Sequence, residues 1–234
     1  MIKNYLFDLD GTLLPLDEED FIENYMRLIA KKFALLKLNP KTMIAKLWQG
    51  TNAMIKNTGD YTNEEVFWNI FCKDTEKSYL KKELENFYQN EFKETFSSTN
   101  PSNYASKIIN ALKDKNKRII LATNPVFPLV ATKQRIEWAK LKLTDFEYVS
   151  TYENSAFAKP NLEYYRNIIE KLKLDPNETI MIGNDASEDM IASELGIKTY
   201  LVTDCLKNNS SVDINKYNHG SLSDLYRIIK SDNL

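Results

Sequence analysis

Ile2-Lys3-Asn4-Tyr5-Leu6-Phe7-Asp8-Leu9-Asp10-Gly11-Thr12-Leu13 is the stretch on which the fold turns. It starts short, aromatic and aliphatic, then passes into Asp-Leu-Asp-Gly-Thr, a turn signal. The pattern predicts a buried strand running into a loop. Two carboxylates two residues apart can face one site if the chain turns there. Like charges held close cost free energy unless a cation or a shared proton offsets them. Hard oxygen ligands, waters and a phosphate suit Mg²⁺. Taken alone, Asp-x-Asp after a strand is also ordinary turn chemistry, so its meaning depends on the rest of the chain.

Directly after this stretch the pattern becomes helical. Asp17 can cap a helix whose first turn holds Glu18, Glu19 and Asp20, where the helix dipole favours negative charge. Phe21, Tyr25, Leu28, Ile29 and Phe33 then recur at helical spacing. Asn39-Pro40 opens a second helix, and Thr58-Gly59-Asp60 breaks it. Thr62 with Glu65 is a capping box for a third, and a fourth is predicted from about Glu76 to Phe92. Residues 17–96 thus read as an all-helical insertion large enough to be a small domain.

Past Asn100-Pro101, strands and helices alternate. Helices are predicted over 101–115, 127–140, 160–172, 187–195 (closed by Gly196) and 222–229, with strands over 118–124, 146–149, 179–182 and 198–202. Alternation of this kind argues an α/β fold, a Rossmann-like doubly wound parallel sheet with helices on both faces. The domains are then a core of residues 1–16 and 97–234 and an inserted helical unit of 17–96. Ligands in such sheets bind beyond the carboxyl ends of the strands. Three predicted strands end there in polar residues: Asp8 with Asp10, Thr123 with Asn124, and Asn184 with Asp185.

Composition narrows the chemistry. The chain has 234 residues, 43% hydrophobic and 27% charged, with a formal net charge of −2. That charge supplies no whole-chain attraction for nucleic acid or an anionic membrane. No apolar run approaches the ~20 residues that span a bilayer, and the N-terminus lacks the long apolar stretch of a secretory signal. Cys72 and Cys205 lie far apart and read as reduced thiols, so a cytoplasmic setting is expected. With His219 the sole histidine, a zinc centre or a histidine-dependent triad is improbable. Carboxylates, lysine, hydroxyls and amides must carry the chemistry.

In this order the motifs resemble those of the haloacid dehalogenase-like superfamily, of the phosphoglycolate phosphatase-like kind with a helical cap. Asp8-Leu9-Asp10-Gly11-Thr12 resembles the first motif, Thr123-Asn124 the second, Lys159-Pro160 the third, and Gly183-Asn184-Asp185 with Asp189 the fourth. The resemblance spans residues 2 to about 203, and four motifs in order on matching elements are far more specific than any one. It implies that Asp8 is a nucleophile forming an aspartyl-phosphate and that Asp10 is the general acid and base. Thr123 and Asn124 would bind phosphoryl oxygens, and Lys159 would neutralise charge on nucleophile and phosphate. The implied cofactor is Mg²⁺, held by Asp8, Asp10 and Asp185. The spacing leaves Asn184 or Asp189 as an alternative ligand or a group just outside the ligands, Asp189 paired with Lys159.

The resemblance makes residues 17–96 a cap over the site, with Trp48, Gln49, Asn52 and Asn57 as candidates for substrate contact. Thr58 belongs with them, and Trp48 also fits helix packing. The implied partner is a small phosphorylated substrate, hydrolysed by a phosphatase or passed on by a phosphomutase or phosphotransferase. A dehalogenase has no leaving oxygen to protonate, and relatives with that activity lack the second aspartate that stands here as Asp10. Loss of Asp8, Asp10 or Lys159 would suggest a non-catalytic binder, and none is missing.

Overall fold

The structure is a computed structural model that describes residues 1–72 and 77–231. The opening stretch forms β1 (Asn4–Phe7), buried along its whole length. Tyr5 and Phe7 join one hydrophobic cluster and Leu6 a second, as the two-residue period of a strand requires. Around it lie β2 (Arg118–Leu121), β3 (Tyr148–Val149), β4 (Thr179–Gly183), β5 (Lys198–Val202) and β6 (Asn218–Gly220). All pairings are parallel, in the order β3-β2-β1-β4-β5-β6. The chain winds outward from β1 through β2 to β3, crosses back to β4, and winds outward again. The reversal therefore falls at β1, where a doubly wound sheet opens its ligand crevice.

The helices α5 (Asn103–Asp114), α6 (Leu129–Trp138) and α8 (Leu222–Lys230) share the cluster on the Phe7 face. Helix α7 (Leu162–Leu172) and a 3₁₀ segment, Met190–Leu195, share the cluster on the Leu6 face. Between β1 and α5 lie α1 (Glu18–Leu35), α2 (Pro40–Ile55), α3 (Asn63–Phe71), α4 (Lys77–Gln89) and a 3₁₀ stretch, Glu91–Ser98. Their starts follow local chemistry. Asp17 accepts the Asp20 N–H at 3.0 Å, Asn39 accepts the Thr42 N–H at 3.1 Å, and Thr62 and Glu65 form a reciprocal capping box.

The helical insertion is joined to the core by more than its linkers. Those linkers run side by side: Leu16 bridges Thr99, and the Asn100 N–H donates to the Pro15 carbonyl at 2.7 Å. The N–H groups of Asn63 and Glu64 donate to the Ser155 and Tyr152 carbonyls, both at 2.8 Å. Helix α4 packs on α6, and the Gln134 amide donates to the Tyr88 carbonyl. Rings of Tyr25 and Phe92 from the insertion contact Phe127 of the core, and one hydrophobic cluster runs through both parts. The four helices therefore pack on one another and also on the core.

Several boundaries differ from the sequence reading. The helix expected over 127–140 begins only at Leu129, because Pro128 stands at its N-cap and the residue before a proline is pushed out of the helical region. The helix expected over 187–195 is a 3₁₀ segment from Met190, because the preceding turn is spent on side-chain contacts at the site. Strand β6 was not anticipated. Its Asn218-His219-Gly220 sequence has no apolar alternation and lies exposed at the sheet edge. The helical insertion continues as 3₁₀ turns to Ser98, and the expected start at Glu76 lies outside the described residues.

Candidate active site

Asp8 follows the last residue of β1, and its N–H donates to the Ile182 carbonyl of β4 at 2.9 Å. The next turn is tight, with the Gly11 N–H on the Leu14 carbonyl at 2.8 Å and Gly11 at φ +81°. A Cβ on Gly11 would stand 2.3 Å from the Asn184 amide nitrogen. Glycine is therefore required twice, for the left-handed backbone and for the close approach of β1 to β4. Asp8 Oδ1 accepts from Lys159 Nζ at 2.9 Å, and Asp8 Oδ2 lies 3.2 Å from the Thr12 hydroxyl.

Lys159, 1% exposed, also donates to Asp189 Oδ1 at 2.6 Å. It precedes Pro160 through a cis peptide bond and sits ahead of α7. Asp189 Oδ2 in turn accepts the Asp185 N–H at 3.0 Å. A Cβ on Gly183 would lie 2.0 Å from that same carboxylate, so a side chain there would displace it. Burial pushes the lysine's proton affinity down, but Asp189 and Asp8 outweigh it and hold Lys159 well above the usual lysine range. Burial pushes Asp189 up against the pull of Lys159.

The two candidates after β4 differ in placement. Asn184 Oδ1 lies 2.9 Å from the Thr12 hydroxyl, and its Nδ2 donates to the Cys205 carbonyl at 2.7 Å, which fixes the amide's orientation. Its oxygen thus shares a neighbour with Asp8 Oδ2. Asp185 is occupied otherwise: its Oδ1 accepts the Ser187 and Glu188 N–H groups at 2.8 and 2.9 Å, and its Oδ2 lies 3.6 Å from Lys207 Nζ. The sequence reading favoured the residue with the greater charge. The fold links the Asn184 amide to Asp8 through the Thr12 hydroxyl and ties Asp185 to the following turn and Lys207.

Asp10 pairs with Arg135 of α6 through Oδ2, and its buried Oδ1 has no hydrogen-bond partner. Burial raises Asp10 to about 6, although Arg135 opposes the shift. Arg135 is 1% exposed, lies 4.4 Å over the Phe127 ring and donates to Thr132 Oγ1 at 3.2 Å. At the end of β2, Thr123 is buried, with its carbonyl accepting from the Ser150 and Tyr164 hydroxyls at 2.7 and 2.9 Å. The Asn124 amide donates to Glu188 at 3.0 Å.

Asp8, Asp10, Thr123, Asn124, Asn184, Asp185 and Asp189 all line a single cavity of about 1100 Å³ between the sheet ends and the helical insertion. Residues scattered along the chain thereby converge. Lys159 lies behind this wall. Among the insertion's candidates, Trp48 lines the cavity. Gln49, Asn52 and Thr58 are exposed away from it. Asn57 is buried and donates to the Tyr61 carbonyl and to Asn63 Oδ1, both at 2.9 Å. Successive helix positions point about 100° apart, so neighbours of Trp48 in sequence do not share its face.

Among the described residues, no three His, Cys, Asp or Glu side chains form a ready metal cage. The donor set nevertheless suits Mg²⁺, which takes one or two carboxylates and fills its octahedron with waters and substrate oxygens. Five carboxylates (Asp8, Asp10, Asp185, Glu188 and Asp189) surround the crevice against the cations Lys159, Arg135 and Lys207. Burial with a surplus of negative charge is the condition a bound divalent cation relieves.

Thr12, Arg135, Glu188 and Lys207 escaped the sequence reading. Arg135 carried a usable signal: with Ala131 and Ala139 it lies on an apolar helical stripe, where an unpaired charge is not tolerated. Glu188 and Thr12 stand inside motifs whose other members drew the attention. Lys207 lies in a polar loop with no local mark.

The description "haloacid dehalogenase-like hydrolase" belongs to the family whose pattern matches residues 2–196. A phosphatase of that superfamily from Thermococcus onnurineus shares the fold at TM-score 0.61 and 19% identity, over 100% of both chains. The L-2-haloacid dehalogenase of Xanthobacter autotrophicus matches at TM-score 0.60 and 14% identity, over 98% of this chain and 99% of that one. A predicted phosphoglycolate phosphatase of Haemophilus somnus 129pt matches at TM-score 0.58 and 15% identity, over 97% of each.

Proposed function

This chain belongs to the haloacid dehalogenase-like hydrolases, and on that premise we propose that it is a Mg²⁺-dependent phosphatase acting on a phosphorylated metabolite through an aspartyl-phosphate at Asp8. The observation that carries the reading is the pairing at the cavity floor. Asp8 is held by buried Lys159 through one oxygen, 2.9 Å away, while Asp10 two residues on keeps a buried oxygen without a partner.

In the proposed reaction an Asp8 oxygen attacks phosphorus in line, forming the acyl-phosphate bond as the ester P–O bond breaks. Asp10, raised to about 6 by burial, gives its proton to the leaving oxygen. It then takes a proton from the water that attacks phosphorus and releases Asp8. Lys159 holds Asp8 in place and offsets charge at the phosphoryl group, while the Thr123 hydroxyl and Asn124 orient the equatorial oxygens. Mg²⁺ would be held by the Asp8 carboxylate, the Asp10 main-chain carbonyl and Asn184 Oδ1, with Asp185 and Asp189 just outside. When bound, it supplies positive charge against the phosphoryl oxygens. Asp10 speaks for oxygen leaving groups and against dehalogenation. The proposed setting is the cytoplasm, where the thiols of Cys72 and Cys205 stay reduced; among the described residues no helix is long and apolar enough to cross a membrane.

The test is phosphate release from p-nitrophenyl phosphate and a metabolite panel. Activity should require Mg²⁺, disappear in EDTA and fall by at least about a thousandfold in Asp8→Asn, the scale set by loss of a covalent nucleophile. Full activity in EDTA or in that variant would overturn the mechanism.

A further inference from the structure

The cavity over Asp8 is far larger than its chemistry needs. At about 1100 Å³ it matches the upper end of pockets that take drug-sized ligands, roughly 300–1,000 Å³. A phosphate with a two-carbon tail would leave most of it to water. The lining also carries exposed apolar side chains. Trp48 of α2 is 41% exposed, Leu129 at the start of α6 is 41% exposed, and Leu206 in the loop after β5 is 37% exposed, and all three line this cavity. They come from three separate parts of the chain, so packing within one helix does not explain why all three are exposed on this cavity. Phe67, Tyr88 and Phe127 add aromatic rings to the lining of the same cavity. Such a wall favours a flat, apolar guest through stacked or edge contacts.

The charges lining the same cavity disfavour a second anion. Lys81 is tied to Glu64 at 2.5 Å, and Lys207 to Glu18 at 3.0 Å. Lys133 is the lining cation without an ion pair among the described residues, and Glu19, Glu85 and Glu153 line the same cavity. Among the described residues no arginine lines the cavity, so a carboxylate or second phosphate finds no bidentate clamp there.

Resting on the phosphatase reading, we propose that the preferred substrate is a monophosphate ester whose alcohol carries an aromatic or similarly broad apolar group and no second anionic group. The phosphate sits at Asp8, the ring against Trp48, Leu129 and Leu206. The bond chemistry is that of the hydrolysis above and needs no further reactant.

The experiment compares benzyl phosphate, ethyl phosphate and 2-phosphoglycolate with the Mg²⁺-loaded full chain. All three leave as alkyl oxygens, so differences read recognition more than leaving-group strength. Benzyl phosphate should exceed each of the others at least tenfold in kcat/KM. Trp48→Ala should cut the benzyl-over-ethyl preference at least fivefold, mostly through KM, and Trp48→Phe should retain it. Leu206→Ser, in a loop, gives a second reading of the same wall should the tryptophan variant fail to fold. Equal or better turnover of 2-phosphoglycolate, or a preference unchanged in both wall variants, would overturn the inference while leaving the phosphatase intact. No phosphate release from these or from p-nitrophenyl phosphate would overturn the phosphatase reading, and the inference with it.

Discussion

Asp10 is half-buried against Arg135, with one oxygen paired and the other buried without a donor, and this residue-scale arrangement has measurable consequences. Its carboxyl is raised from 3.8 to about 6, chiefly by burial. For an acid raised on folding, the charged form is the disfavoured one. Stability is thus lost as pH climbs from about 4 through 6, by on the order of 3 kcal/mol above that window. In the proposed reaction Asp10 must be protonated to release an alkyl oxygen, so the rate with alkyl phosphates should fall as pH rises through about 6. With p-nitrophenyl phosphate, whose leaving group needs no proton, the first turnover should be nearly flat. Asp10→Asn should lower alkyl phosphate turnover by about 10²–10⁴, the usual share of general acid catalysis, and keep the p-nitrophenol burst. Equal losses on both substrates would remove Asp10 from that role. Arg135→Leu strands the carboxylate without its cation. Urea unfolding should show a loss of about 3–5 kcal/mol at pH 8, shrinking toward pH 5 as Asp10 takes up a proton.

At the scale of elements, α3 is the piece that couples the insertion to the core. Its capping box sets its start, and the next residue, Asn63, is fully buried. The Asn63 side-chain amide donates to the Pro125 and Phe157 carbonyls at 3.1 and 3.3 Å. We propose that any opening of the insertion as a lid turns at the paired linkers around Leu16 and Thr99 and breaks these bonds. Each hydrogen bond contributes about 1 kcal/mol net. Asn63→Ala should therefore raise amide exchange in α2 and α3 about tenfold or more, with the β1 and β4 amides unchanged. Uniform loosening of the whole chain would show that Asn63 serves global stability instead. Capped helix starts were legible from sequence because a cap is a contact between residues two or three apart. The side of α2 that meets the cavity was not legible, since it depends on what α2 packs against. Hence Trp48 reaches the cavity and Gln49 does not.

Over the whole molecule, the surplus of buried carboxylates predicts a strong response to the proposed metal. A ligand at a hundred times its Kd stabilises by about 2.7 kcal/mol, which for a chain of this size is a Tm rise of about 5–10 °C. Asn184→Leu should remove most of that rise, while Asp185→Asn should keep most of it. The reverse ranking would assign the side-chain ligand to Asp185. The sequence by itself determined the buried strand before Asp8, the capped helices, the alternation that requires a parallel sheet, and the four motifs in order. All of these are patterns of hydrophobicity and hydrogen bonding within a few residues of chain. Only the tertiary structure decided that Arg135 pairs with Asp10, that Asn184 rather than Asp185 shares the Thr12 hydroxyl with Asp8, that Asn218–Gly220 adds a strand, and that Trp48, Leu129 and Leu206 line one cavity. Each of these joins groups far apart in sequence or chooses between adjacent residues. Such outcomes are set by the packing of whole elements, where a shift of one residue or a rotation of about 100° along a helix changes which side chain arrives.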